Sequence, residues 1–263
     1  MTLGLPRIHG LRLEAPCVTG DALRAECKRS LMNPKVRDRV YFAGVAVCAL
    51  TAAGFLGADP WLAERVIIAG EAWRESANAI THLCSVSRWG PLGLAIGLAL
   101  LALRRETGRE FLAWLALGLI SAGVTAAIVQ SLKFILGRAR PSEAHEYGPG
   151  HFLLFHPHHD FHSFPSGHSA DMAVLITTIW LAAPRFGAGK WGLLWLVCGL
   201  TLVATRVGTL SHWPSDVVVG AYLGGVVTLV LHAALLRRRI TKLRLHGPVE
   251  PAPAGSRSTT TTA

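Results

Sequence analysis

Long apolar stretches separated by basic clusters set the pattern of this chain. Tyr41–Ala58 carries no charged residue over eighteen positions, within the about 17 to 25 residues that a helix needs to cross a bilayer. Five further stretches follow: Trp89–Leu103, Phe111–Leu136, His168–Ala183, Trp191–Thr205 and Val217–Leu236. The pattern predicts an all-α fold, a polytopic membrane helix bundle of about six transmembrane helices spanning residues 39–236. Between the first two stretches, residues 59–88 mix Val66, Ile67, Ile68, Trp73, Ile80 and Leu83 with Glu64, Arg65, Glu71, Arg74 and Glu75. That mixture fits amphipathic helices lying at the membrane interface, and fits a small packed lid equally well.

Composition agrees with a membrane protein: 51% of residues are hydrophobic and the mean hydropathy is +0.39. The net charge of +10 would point to nucleic acid if it covered one soluble face, but most Lys and Arg flank the apolar stretches. With six spans the basic groups at 24–39, 104–109, 185–190 and 237–244 fall on one side. By the positive-inside rule that side is cytoplasmic, as are both termini. The loops 59–88, 137–167 and 206–216 then share the outer face. Residues 1–38 read as a cytoplasmic lead-in without the apolar core of a cleaved signal peptide. Starting at Met32 would place Lys35, Arg37 and Arg39 directly before the first span. Residues 237–263 form a basic and then disordered cytoplasmic tail, its Pro, Ala, Ser and Thr offering little to bury. The five cysteines are scattered and predict neither a disulfide framework nor a metal site.

Three polar clusters interrupt the pattern on the outer side. Lys133 and Arg140 stand seven residues apart and would share a helix face if the helix ran past Gly137. Lys133 alone reads equally well as a side chain snorkelling to the interface. Arg138 lies off that face and is expected in solvent or on lipid headgroups. The second cluster is Pro165-Ser166-Gly167-His168, where a glycine beside the first amides of a helix makes an anion site. By itself it is also an ordinary N-cap followed by an interfacial histidine. The third joins Arg206, His212 and Asp216, with Pro214 suited to the first turn of a helix. A nucleophilic imidazole needs a carboxylate to set its tautomer and cations to hold an anionic substrate. Charges at membrane depth are expensive and usually functional.

Together these residues resemble the type 2 phosphatidic acid phosphatase superfamily, whose motifs are K-x6-R-P, P-S-G-H and S-R-x5-H-x3-D. Lys133 to Pro141, Pro165 to His168, and Arg206, His212 and Asp216 match in type and spacing, with Thr205 where the family usually has Ser. The resemblance implies that His212 attacks phosphorus to form a phosphohistidine, with Asp216 orienting its ring. It implies that Lys133, Arg140, Ser166, Gly167 and Arg206 bind the phosphate, and that His168 protonates the leaving oxygen and then activates water. It implies no metal or other cofactor. The implied protein is an integral membrane lipid phosphatase whose active site faces the periplasm or the outside, and its richness in Ala, Gly and Arg suggests a bacterial inner membrane. Its expected partners are membrane lipids and a phosphorylated lipid substrate: undecaprenyl diphosphate, phosphatidylglycerol phosphate, phosphatidate or a lipid A phosphate. No nucleic-acid module is visible, and no oligomeric state is assigned.

A lipid phosphotransferase would use the same histidine. An anion transporter would place similar cations at broken helices but would not need the paired histidines. The related vanadate-dependent haloperoxidases are largely soluble, unlike a chain with six apolar stretches. The loop with His145, His151, His156, His158, His159 and His162 invites a metal reading. Helix breakers run through it, so headgroup contact or a pH-sensitive charge is the stronger expectation.

Overall fold

The computed structural model describes residues 27–31, 33–83, 105–143, 151–183 and 204–245, with positions 103, 146, 197, 200 and 201. Six α-helices carry these segments. Helix α1 (Pro34–Ala53) is opened by Pro34 and capped by Asn33, whose side chain accepts from the Lys35 N–H at 3.1 Å. None of its residues is buried, and Tyr41, Phe42, Val45 and Leu50 face outward. A helix apolar all round with an uncovered surface is built for lipid. A wide helical turn at Gly54–Ala58 leads into α2 (Asp59–Ala69), which is followed by α3 (Glu71–Leu83).

Helix α4 (Arg105–Leu136) has 32 residues. At about 1.5 Å per residue this gives about 48 Å, more than the hydrocarbon core of about 30 Å. It stops because Gly137 turns into the left-handed region at φ 51, its N–H still bonding to the Lys133 carbonyl at 2.9 Å. Helix α5 (Gly167–Ala182) and helix α6 (Pro214–Leu245) follow. The helical stretches Cys27–Ala69, Glu106–Leu136 and Pro214–Thr241 are long and apolar enough to cross a membrane.

Helix α6 is the hub, packing most heavily on α5 and then on α4 and α1. Two glycines let α5 approach. A Cβ at Gly220 would stand 2.2 Å from the Ser166 carbonyl oxygen, and one at Gly224 would stand 2.1 Å from that of Ala170. Thr228, one turn further, is fully buried and returns its hydroxyl to the Gly224 carbonyl at 2.8 Å. This small-residue stripe lets the helices touch backbone to backbone, a packing mode suited to membranes.

Four of the six expected stretches thus have helical counterparts. The stretches at 89–103 and 191–205 lie almost wholly outside the described residues, as do Met32, His145, residues 1–26 and the tail from 246. Helix α6 runs past Arg237–Arg239 to Leu245 because no breaker intervenes before Gly247-Pro248. The basic triplet therefore marks a change of solvent and not the end of a helix. Of the two readings of 59–88, α2 fits the packed lid. Its Ala63 and Val66 join Leu210 and Trp213 in a buried cluster, with Val207 against it. Its Trp61, Ile67 and Ile68 face outward.

The loop after α4 is tied to the chain just beyond Gly137. Ala139 N–H bonds to the His151 carbonyl at 3.1 Å and Leu153 N–H to the Gly137 carbonyl at 2.8 Å. Arg140 N–H bonds to the Asp160 carbonyl at 2.9 Å and Ser163 N–H to the Arg138 carbonyl at 3.1 Å. The His-rich segment is thereby laid over the first motif.

Candidate active site

Three helix ends meet here: the C-terminus of α4 and the N-termini of α5 and α6. Lys133 occupies the last turn of α4 and is buried. Its Nζ passes 3.8 Å from the Cβ position of Gly167, the first residue of α5. Snorkelling to open water is thus not its arrangement. Arg140 comes from the loop, since α4 has already ended, so the shared helix face expected for Lys133 and Arg140 does not exist. Arg140 is half-buried, with Nε donating to the His159 carbonyl at 3.2 Å and Nη2 meeting the His159 Nε2 at 2.9 Å. Burial first, against the pull of Asp160 and Asp216, lowers the Arg140 pKa from its ordinary value. The Arg140 charge, followed by burial, lowers that of His159.

Ser166 takes the N-cap position of α5 with extended backbone (φ −72, ψ 116), yet its hydroxyl makes no capping bond. That hydroxyl instead accepts from Ser169 Oγ at 3.0 Å in a fully buried setting. The first intrahelical bond runs from the Ala170 N–H to the Ser166 carbonyl at 3.2 Å. The preceding amides are the donors that a helix start leaves for an anion. Gly167 is half-buried and His168 is exposed.

The third motif starts in a helical turn at 204–208 and passes through Leu210, a non-glycine at φ 54. Such backbone is strained for a branched residue. Burial of Leu210 against Ala63, Val66 and Trp213 holds it there. Thr205, the departure from the family pattern, is buried. Arg206 is half-buried, and its Nε is enclosed without a hydrogen-bond partner among the described residues. A buried guanidinium N–H of this kind is a donor suited to an anion's oxygen.

His212 is 2% exposed. Its Nδ1 lies 2.7 Å from the Ser163 carbonyl oxygen and 3.8 Å from Asp216 Oδ2. The hydrogen bond therefore goes to the carbonyl, which requires the Nδ1–H tautomer and leaves Nε2 with the free lone pair. Asp216 acts on the ring at ion-pair range. Burial pushes the His212 pKa down from 6.5 to about 4 against the opposing pull of Asp216, with Lys133 and Arg206 adding to the decrease. The imidazole is thus neutral near pH 7.

Asp216 is fully buried and accepts from the Trp213 N–H at 2.9 Å, from Ser163 Oγ and from Arg138 Nη1. The Ser166 N–H bonds to the Asp216 backbone carbonyl at 3.0 Å, joining the second motif to the third. Trp213, also fully buried, donates Nε1–H to the Ala139 carbonyl at 2.8 Å, joining the third to the first.

Arg138 corrects the expectation from sequence. It is 0% exposed, meeting neither solvent nor headgroups. Its guanidinium bonds to Ser215 Oγ at 2.7 Å, to Asp216, and to Asp59 Oδ2 at 2.7 Å. The ring of Phe55 lies 4.4 Å from it and that of Trp213 5.2 Å. Sequence reasoning also missed Asp59, Ser163, Trp213 and Ser215. Asp59-Pro60 closing an apolar run was the one available signal for the first of these.

Of the loop histidines, His156 packs its ring 4.3 Å from Phe161, and His162 Nε2 reaches the His156 carbonyl at 2.9 Å. Among the described residues no three His, Cys, Asp or Glu side chains form a group able to hold a metal ion.

Residues 111–240 match the PAP2 superfamily. The chain is 33% identical over 128 residues to a lipid A 1-phosphatase of Rhizobium etli, covering 48% of this chain and 53% of that protein. It is 32% identical over 128 residues to one of Rhizobium johnstonii, covering 48% and 50%. The chain thus spans about half the length of these curated relatives. Among solved structures, a transmembrane PAP2-type phosphatidylglycerolphosphate phosphatase from Bacillus subtilis superposes with a TM-score of 0.54 at 23% identity. That likeness covers 78% of this chain and 96% of the other, and it shows the fold.

Proposed function

Because the chain belongs, through residues 111–240, to the PAP2 superfamily, we propose that it hydrolyses the phosphate monoester or diphosphate of a membrane lipid through a phosphohistidine at His212. One observation carries this reading: a buried imidazole whose Nδ1 is held by the Ser163 carbonyl, 3.8 Å from Asp216. Its free Nε2 attacks phosphorus, the leaving oxygen takes a proton from His168, and a lipid alcohol or lipid monophosphate departs. Neutral His168 then draws a proton from water, which attacks the phosphoimidazole and releases inorganic phosphate. Lys133, Arg140, the buried Nε of Arg206, the Ser166 hydroxyl and the Gly167 amide serve the transferring oxygens. These donors are fixed before substrate arrives, which is how electrostatic stabilisation lowers the barrier.

The distribution of charge supports one orientation of the molecule. Lys133, Ser166 and Asp216 cluster at one end of α4, α5 and α6, while Arg105 and Arg109 lie at the start of α4 and Arg237–Arg239 beyond the apolar part of α6. By the positive-inside rule this favours a site facing the periplasm or the outside of a multi-pass inner-membrane protein. Lipid A carrying a 1-phosphate is the first substrate to test, because the curated relatives are lipid A 1-phosphatases.

The experiment measures phosphate release by detergent-purified chain, with EDTA present, from lipid A, phosphatidylglycerol phosphate, phosphatidate and undecaprenyl diphosphate, beside soluble phosphate esters. Selective release from one lipid, abolished in a folded His212→Ala variant, is the expected result. Wild-type hydrolysis by His212→Ala would sink the mechanism. Turnover seen only when a hydroxyl acceptor is added would make the protein a phosphotransferase using the same histidine.

A further inference from the structure

Asp59 and Arg138 have no part in the steps above, yet both are 0% exposed, as is the Asp216 they adjoin. Burying three formal charges away from water is costly unless each is paired and hydrogen-bonded. Here each is. Asp59 Oδ1 accepts from the Ser215 N–H at 3.1 Å, and its Oδ2 accepts from Arg138 Nη2 at 2.7 Å and from the Ser215 hydroxyl. Arg138 Nη1 serves Ser215 Oγ at 2.7 Å and Asp216 Oδ1. The guanidinium is thus divided between two carboxylates, one on each of two helix starts.

The division has a consequence for the nucleophile. Asp216 Oδ1 is occupied by Arg138, so Oδ2 faces Ser163 Oγ, the Trp213 N–H and, at 3.8 Å, the His212 Nδ1. Ser163 in turn offers its carbonyl to the same Nδ1 at 2.7 Å. If Asp59 did not hold Nη2, both arms of the fork would be free to close on Asp216, the bidentate geometry that Arg prefers with a carboxylate. Oδ2 would leave Ser163, and the ring of His212 would lose its support. The chain makes room for this arrangement: a Cβ at Gly54 would stand 2.9 Å from Asp59 Oδ1 and 2.8 Å from Ser215 Cβ.

We propose that Asp59, on a helix outside the family-matched segment, is a positioning residue for the reaction: by sharing Arg138 and Ser215 it fixes Asp216 and Ser163, and through them His212. This rests on the reading of His212 as nucleophile. Helix α2 then belongs to the catalytic machinery and does more than cover it.

The test uses Asp59→Asn in the full chain, purified in detergent and shown to be folded by gel filtration and thermal denaturation. It is assayed on the lipid that the wild type hydrolyses and with orthovanadate, which mimics the five-coordinate phosphorus of the transition state. A positioning role lowers kcat/KM by about 10- to 100-fold and raises the vanadate inhibition constant by a similar factor, with KM within about twofold. A purely structural role reduces the fraction of active molecules and leaves the inhibition constant where it was, which overturns the proposal. If Asp59→Asn does not fold, Ser215→Ala decides. It removes only the bridging hydroxyl, and an increase of about 3- to 10-fold in the vanadate constant is expected; an unchanged constant overturns the proposal. A wild type that hydrolyses none of the lipids, or an active His212→Ala, refutes the functional reading and this inference with it. With those two results as expected and vanadate inhibition unmoved in Asp59→Asn, the inference alone fails.

Discussion

Replacing Gly220 with alanine puts a methyl carbon 2.2 Å from the Ser166 carbonyl oxygen. An ordinary carbon–oxygen contact needs about 3.3 Å, so α5 and α6 must separate locally by about 1 Å. The oxygen belongs to the backbone of a helix start and has no rotamer through which to escape. The shift is delivered to the second motif, because the Ser166 N–H is bonded to the Asp216 carbonyl at 3.0 Å. A misplacement of about 1 Å at a preorganised site costs about 100-fold in rate. Overpacking of this kind costs about 1 to 3 kcal/mol in stability. Gly225 is the internal control: a Cβ there finds Thr177 Oγ1 at 3.6 Å, an ordinary contact on the same helix. Lipid phosphate release and thermal denaturation in detergent are measured for both variants. Gly220→Ala is expected to lose about 100-fold in kcat/KM, while Gly225→Ala stays within a few-fold of wild type. Equal activity in the two would refute the claim that the α5–α6 contact sets the site.

Stability should fall on acidification from about 6.5 to about 4, because the unfolded His212 binds a proton at its ordinary value and the buried one does not until about 4. The full effect is about 3 kcal/mol, present above that window and lost through it; denaturant titrations from pH 7 to 4 should show a flatter curve for His212→Asn. Trp213→Phe keeps most of the packing but strips the Ala139 carbonyl of its 2.8 Å donor. Chemical denaturation should report a loss of about 1 to 3 kcal/mol, the cost of a buried acceptor left unpaired. His159→Ala removes one partner of Arg140 and keeps the fold of the loop, so KM should rise by about 2- to 10-fold in steady-state assays with kcat unchanged.

The three motifs were legible because each is local: residue types at fixed spacing on one helix end. Four of the six apolar stretches were legible as helices because a bilayer demands length and lack of charge. Arg138 was misread for a definable reason. Counting 100° per residue from Lys133 places it off the shared face, but that count holds only while the helix continues, and Gly137 ends it at φ 51. Beyond that turn the side chain is aimed by the Ser163 N–H bonded to its own carbonyl and by the bonds of its neighbours Gly137 and Ala139 to Leu153 and His151, which no spacing rule contains. Asp59 was hidden by distance, since its partners stand 79 and 156 residues away. The acceptor for the His212 Nδ1 was hidden by type: it is the Ser163 carbonyl, and every residue has a carbonyl.

On the proposed pathway the motifs supply the groups that touch phosphate, while the shell that aims the nucleophile comes from positions the motifs leave open. The formal charges give a physical reason for that shell. Asp59, Asp216 and Arg138, all fully buried, sum to −1 beside a neutral His212. When Nε2 bonds to phosphorus on the proposed pathway, the imidazole becomes a cation and these four residues sum to zero, while the cations Lys133 and Arg206 face the incoming phosphate. Charge that is incomplete at rest and completed as the bond forms stabilises the transition state more than the ground state, and only that difference accelerates a reaction. Were Arg138 matched by Asp216 alone, the resting sum would be zero and the imidazolium would be buried uncompensated. On that pathway the second carboxylate, on α2, supplies the missing charge from behind Arg138 and Ser215, to which it is bonded.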